Sequence, residues 1–282
     1  MGINLDWQKD VLQAIQQEFN LNIALQQDGN FTIINCNNQL FIHLISIKNT
    51  FNPEDVLALQ LKYQQDDLQL VQLWEDVWAA KRIQVLSRIR SFLGLNKSLH
   101  GRAAKIVVPS KQDTINFLDQ NHLQGYVNAK YSFALVNTYG EFLALASFSA
   151  VRPMKLKGSD YLSAELVRFV SANGFTVVGG FSKLIKHFLK LVKVNDIMTY
   201  ADRDWSLGKG YEQLNFRLVS TTAPAFLYVD ENSLERYFPH RLPKIVLEEF
   251  KQQNLLILDD FLFIKGFQKV FNTGNLKYLL DL

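Results

Sequence analysis

The sequence predicts an α+β protein with a mixed central sheet, divided into two domains. Three observations carry this. Short runs of β-branched and aromatic residues alternate with helical patterns along the whole chain. The 282 residues exceed a typical single domain of roughly 100–200 residues. Residues 95–103 (Leu-Asn-Lys-Ser-Leu-His-Gly-Arg-Ala) are polar and small, as a linker would be. They place a smaller domain over residues 1–97 and a larger one over 98–282.

In order, Leu12, Ile15 and Phe19 recur at helical spacing and predict a helix over 6–19, with Asn4 or Asp6 as its cap. Phe31–Ile34 and Leu40–Ile47 are apolar runs on either side of Asn35-Cys36-Asn37-Asn38, the pattern of a hairpin. Pro53 suits the first position of a helix that runs to Gln65. Leu68–Trp74 is a strand. Glu75–Leu93 is a helix, with Val85, Leu86, Ile89 and Phe92 on its apolar side and Lys81, Arg82, Arg88 and Arg90 on the other. Gly94 ends it.

Past the linker, Lys105–Pro109, Tyr131–Val136, Phe142–Ser149 and Glu165–Val170 predict strands, and Lys111–Gln120 a helix. Phe181–Lys193 is a strongly amphipathic helix, carrying Phe181, Leu184, Ile185, Phe188 and Val192 on one face. Asp196–Ala201 is a strand and Gly208–Leu214 a short helix. Phe216–Val219 and Phe226–Val229 form an expected closing pair of strands. A helix from Pro243 and an extended tail from Leu255 complete the chain.

Composition narrows the function classes. Hydrophobic residues make up 48% and charged residues 20%, enough for a globular core. With 30 basic and 27 acidic side chains, net charge alone does not indicate a nucleic-acid partner. The single cysteine, Cys36, excludes an intrachain disulfide and a Cys-rich zinc site. Met1–Asp6 lacks the basic head and apolar run of a signal peptide, and Asp6 breaks a myristoylation motif. No stretch approaches the ~20 apolar residues of a membrane span. A cytoplasmic, non-membrane protein is expected.

The turn Val178-Gly179-Gly180-Phe181-Ser182 opens a helix. First-turn N–H groups lack helical partners and sit at the positive end of the dipole, and glycine lets a phosphate come close. The same glycines serve equally well for shape alone.

The run from Glu165 to Phe216 resembles the core of the GCN5-related N-acetyltransferase superfamily. Gly179-Gly180-Phe181-Ser182-Lys183 matches the place of its pyrophosphate loop, although Phe175-Thr176-Val177-Val178-Gly179-Gly180 departs from the family's Arg/Gln-x-x-Gly-x-Gly pattern. Gly210-Tyr211-Glu212-Gln213-Leu214-Asn215-Phe216 is similar to its closing motif. The resemblance implies an acetyltransferase fold, acetyl-CoA as cofactor held at Val178, Gly179, Gly180, Phe181 and Ser182, and Tyr211 as general acid.

Asn121-His122, Glu165-Leu166-Val167-Arg168-Phe169, Tyr200-Ala201-Asp202 and Gly208-x-x-Tyr211 resemble the Mom-type phage DNA-modification proteins over residues 117–228. That resemblance implies His122, Asp202 and Tyr211 as catalytic residues modifying adenine, with a divalent metal. The residues themselves leave other roles open. Asp202 suits a turn cap, Tyr211 a core position, and His122 a loop. Lys183, Lys186 and Lys190 on the amphipathic helix, with Arg203 and Lys209 nearby, suit either a phosphate backbone or a solvated face.

Leu68–Trp78, Ser87-Arg88-Ile89-Arg90 and Phe271–Lys277 resemble a phage-type protein that fuses a very-short-patch-repair-like nuclease domain to such a C-terminal unit. The metal-ligand positions of that nuclease fall near Thr32 and His43, and the hairpin Phe31–Ile47 contains no Asp or Glu. A degenerate, inactive nuclease-like domain is expected.

Three functions are consistent with these features. First is a DNA-associated protein whose acetyltransferase-like domain modifies a nucleobase. Second is an acetyl-CoA-dependent N-acetyltransferase acting on a small amine or protein. Third is a non-catalytic binding module. The sequence leaves the oligomeric state open.

Overall fold

The structure, a computed structural model of the 282-residue chain, describes residues 5–253 and 256–282. Asn4, one candidate cap, and Leu255, the expected start of the tail, lie outside them. The chain forms two compact units. One comprises Met1–Arg82, Asp202–Ser206 and Thr222–Asn275; the other comprises Ile83–Ala201, Leu207–Thr221 and Leu276–Leu282.

The first unit begins with α1 (Leu5–Glu18) and a meander of β1 (Ile23–Asp28), β2 (Phe31–Cys36) and β3 (Leu40–Ile45). Asn37 and Asn38 turn the second hairpin at φ 55 and 57, a region that asparagine tolerates well. In α2 (Pro53–Gln65), Asn52 and Asp55 form a capping box and Pro53 sits in the first turn. The helix leads into β4 (Gln69–Trp74), parallel to β3. Then α3 (Glu75–Phe92) breaks at Lys81, whose φ −135 and ψ 31 are not helical, next to the boundary between the units.

The second unit holds the rest of α3 and β5 (Lys97–His100), β6 (Lys105–Val107), α4 (Lys111–Asn121), β7 (Tyr131–Val136), β8 (Phe142–Phe148) and β9 (Arg152–Pro153). There follow β10 (Leu162–Ser171), β11 (Phe175–Val178), α5 (Gly180–Leu191), β12 (Asp196–Asp202), α6 (Lys209–Glu212) and β13 (Arg217–Thr221). The chain then returns to the first unit for β14 (Phe226–Asp230), β15 (Arg236–Tyr237), α7 (Lys244–Gln252), α8 (Leu258–Ile264) and β16 (Phe267–Phe271). It finishes with β17 (Asn275–Asp281) in the second unit's sheet.

That sheet has the order β13-β17-β12-β10-β8-β7-β6. Its middle pair, β10 and β12, is parallel and joined by α5, the crossover helix such a pair requires. Leu184, Ile185 and Phe188 of α5 are buried with Phe133, Leu135, Phe148 and Leu166. Phe188 stacks on Phe148 at 4.1 Å between centroids. Loss of such a ring typically costs about 3–5 kcal/mol.

Several expectations are corrected. The two expected closing strands do not pair. β13 pairs with β17, and β14 with β15 and β16. Alternation shows that a segment is a strand but not which partner it takes. The expected tail contains α8 as well as two strands. The linker expected at 95–103 contains β5, parallel to β11. Its polarity reflects the exposure of Lys97, Ser98 and His100 on a two-stranded sheet. The units therefore do not divide at residue 97, and residues 222–275 fall with the N-terminal part. Their Leu227, Val229, Val270 and Phe271 share a core with Ile45, Val56 and Trp74. Among the described residues no helix is long and apolar enough to cross a membrane.

Candidate active site

The second unit's sheet opens at its center. β10 and β12 pair only over Ser163–Glu165 and Asp196–Met198. A bulge between Leu166 and Arg168 leaves Val167 without a register partner on either side. Thr199 Oγ1 donates to the Leu166 carbonyl at 2.9 Å, and beyond it the pairing ends. The strands thus part toward their carboxyl ends, where α/β sheets place ligands.

Tyr211 sits at this opening because of Gly208. Gly208 has φ 80, and a Cβ there would lie 1.9 Å from the Tyr278 hydroxyl. Glycine therefore lets α6 start against Tyr278, whose hydroxyl donates to Glu212 Oε1 at 2.9 Å. Tyr211 follows in that turn, ringed by Phe181, Phe216 and Tyr278 at 5.5–5.8 Å between centroids. Thr199 stands near its hydroxyl. Burial raises its pKa, against the opposing effects of Thr199, Arg88 and Arg168. Tyr211 therefore holds its proton at neutral pH, as a general acid must.

The Gly179-Gly180 turn is shaped largely by packing. Gly179 adopts φ 71 and Gly180 is buried, where a Cβ would meet Val177 Cγ1 at 2.7 Å and Leu135 Cδ1 at 2.9 Å. Gly101 lies close against the Gly180 backbone, donating to the Val178 carbonyl at 2.9 Å. Phe181 stacks on Phe169 at 4.0 Å, and Ser182 Oγ donates to the Gly179 carbonyl. The N–H groups of Gly179, Phe181 and Ser182 have no acceptor among the described residues.

The other predicted residues make bonds of their own. His122 caps α4, and its Nδ1 accepts from the Gln124 N–H at 3.1 Å. Asp202 falls with the first unit, where it accepts from the Asp204 N–H at 3.0 Å in the turn-capping role. Among the described residues no three His, Cys, Asp or Glu side chains are grouped to hold a metal. The basic set does not form one face. Lys183 turns inward, donating to the carbonyls of Gly101 at 2.9 Å and Ala104 at 2.6 Å. Lys186, Lys190 and Lys209 are exposed, while Arg203 belongs to the first unit and donates to the Thr273 carbonyl.

In the first unit, Thr32 bonds with Gln27, and His43 is fully buried against Gln72 at 2.7 Å. Burial lowers the His43 pKa to about 4. Asp76 is buried and paired with Arg236 at 2.5 Å, and Glu75 accepts from the Ile47 N–H. Asp204 is buried and accepts from the N–H and hydroxyl of Thr273. Burial, with the nearby Asp202 charge, pushes its pKa up to about 7.

Arg88, Arg168 and Thr199 are the residues that sequence reasoning missed. Arg88 reads as one of several cations on a solvated helix face.

No family model matches this chain, and no curated protein does. Among solved structures it is similar to the ribosomal-protein-S18-alanine N-acetyltransferase of Escherichia coli, at 11% identity, 63% of this chain, 93% of that one and TM-score 0.36. It is similar also to the spermidine/spermine N-acetyltransferase of Vibrio cholerae, at 11% identity, 64% and 94% coverage and TM-score 0.35. A third is a GCN5-related N-acetyltransferase from Kribbella flavida, at 13% identity, 64% and 99% coverage and TM-score 0.34. Likenesses this distant carry no argument of their own.

Proposed function

We propose that the second unit is an acyl-coenzyme A-dependent N-acyltransferase of the GCN5-related kind. The observation that carries this reading is the parting of the parallel strands β10 and β12, with Tyr211 packed against Phe181 and Phe216 beside it. The opening fits an extended acyl-pantetheine arm. The unpaired N–H groups of Gly179, Phe181 and Ser182 fit a pyrophosphate, and the close approach of Gly101 to Gly180 keeps that contact to the rim of the turn.

Coenzyme A, when bound, supplies an acyl thioester that an amine attacks. The chain's own groups do the rest. Tyr211 holds a proton at its hydroxyl, beside Thr199, for the departing sulfur. Thr199 is fixed in turn by the Leu166 carbonyl. The rings of Phe181, Phe216 and Tyr278 pack around Tyr211.

Incubation with acetyl-CoA and a panel of amines, following free thiol, tests this reading. Turnover is expected, and Tyr211→Phe slows it on the order of 10²-fold with little change in acetyl-CoA affinity. Turnover unaffected by Tyr211→Phe contradicts the assigned role. No thiol release with any amine contradicts the activity.

A further inference from the structure

Two strands of the second unit's sheet, β12 and β17, are neighbors in it. The chain runs from β12 into Arg203-Asp204-Trp205, and it enters β17 just after Thr273-Gly274. Both short segments belong to the first unit, and they are bonded to each other. Asp204 and Thr273 are buried. Asp204 Oδ1 accepts from the Thr273 N–H at 2.9 Å and from its hydroxyl at 2.6 Å. The Arg203 N–H donates to the Gly274 carbonyl at 3.1 Å. Gln60 Nε2 donates to the Arg203 carbonyl at 2.7 Å, and the Gln72 N–H to the Asp204 carbonyl at 2.8 Å. A buried charge is weak as a source of stability, and its best-attested use is to fix a register.

The residues that follow these two segments meet at Tyr211. After Trp205 comes Gly208, where α6 starts, and β17 carries Tyr278. The Tyr278 ring lies 5.5 Å from that of Tyr211. Its hydroxyl donates to Glu212 Oε1 at 2.9 Å and lies 3.3 Å from the Leu207 carbonyl. Neither path has slack. A Cβ at Gly208 would lie 1.9 Å from the Tyr278 hydroxyl, and one at Gly274 would lie 2.3 Å from the Thr222 carbonyl oxygen. A shift between Asp204 and Thr273 therefore reaches the contact of α6 with β17 along both segments.

We propose that Asp204, through its two bonds with Thr273, is a positioning residue for Tyr211. It sets the register between the turn that carries Tyr211 and the strand that carries Tyr278. Asp204 acts through Tyr211 and has no chemical role of its own. The consequence for turnover rests on the acyltransferase reading; the consequence for α6 does not.

The test uses the full chain and two readouts, at a temperature where melting shows every variant folded. Thr273→Val removes the hydroxyl and keeps the volume, and Thr273→Ser keeps the hydroxyl. Thr273→Ala repeats the measurement should the valine branch disturb the packing. The first readout is hydrogen exchange without cofactor. Thr273→Val is expected to speed exchange of the Tyr211 and Gln213 N–H groups, bonded to the Gly208 and Lys209 carbonyls, roughly tenfold, and to leave β7 and β8 unchanged. Thr273→Ser matches the unaltered protein. The second readout is turnover with acetyl-CoA and an amine. Thr273→Val is expected to lower kcat roughly tenfold with the KM for acetyl-CoA unchanged, and to have no further effect in a Tyr211→Phe background.

Exchange at α6 that is the same in Thr273→Val and Thr273→Ala as in the unaltered protein overturns the proposal. So does a loss of kcat that persists in full when Tyr211 is already phenylalanine, which would make the bond a structural one only. Faster exchange at α6 without thiol release from any amine upholds the positioning of the turn and sinks the acyltransferase reading alone.

Discussion

Tyr211 shows how a residue's role depends on its surroundings. The sequence shows a tyrosine three residues after a glycine, and either a core or a catalytic position fits that spacing. The structure packs its partly buried ring against the core and leaves its hydroxyl near Thr199. His122 and Asp202 each accept from the backbone N–H two residues on, as polar side chains at helix and strand ends commonly do. Two buried groups make the first unit's stability depend on pH in opposite senses. His43 has a folded pKa near 4, below its ordinary 6.5, so its contribution is present above about 6.5 and lost as pH falls toward 4. That loss amounts to about 3 kcal/mol. Asp204 has a folded pKa near 7, above its ordinary 3.8, so stability is lost as pH rises between those values. Asp204→Asn keeps an acceptor for Thr273 and removes the charge. Urea melts are expected to show the substitution more favorable at pH 8 than at pH 5, and an equal effect at both would refute the assignment.

At the scale of elements, period and punctuation revealed most of the fold. Pro53 marks the start of α2, and the apolar stripe of α5 marks the crossover helix. Two of the misses share a physical cause. β1 and β5 carry few β-branched residues because each is largely exposed, so burial never imposed alternation on them. The bulge in β10 leaves no sequence signature, yet it helps open the sheet. Gly208 is the clearest case of a residue read correctly for place and not for reason. It reads as part of a motif, and its physical role is to admit Tyr278. Gly208→Ala combines an unfavorable φ with a 1.9 Å clash, and is expected to cost more than about 2 kcal/mol and to displace α6. Calorimetric melting checks this, and an unchanged midpoint would contradict the packing account.

For the whole molecule, the chain passes between its two units several times, and no linear cut separates them. The sequence suggested a boundary from composition, which records exposure and not contact. Because Leu227, Val229, Val270 and Phe271 complete the core around Trp74, a fragment of residues 1–97 is expected to lack a cooperative melt. A cooperative transition in that fragment would show that the N-terminal part is self-sufficient. The central claim concerns the other unit, where parted strands, an α5 N-terminus and Tyr211 are assigned to an acyl-coenzyme A. Thermal melting of the full chain with acetyl-CoA tests it most directly. At about 100 times its Kd a ligand adds about 2.7 kcal/mol, so the account predicts a rise in Tm of several degrees, reproduced by coenzyme A and retained by Tyr211→Phe. A Tm that stays fixed up to roughly millimolar acetyl-CoA would contradict it.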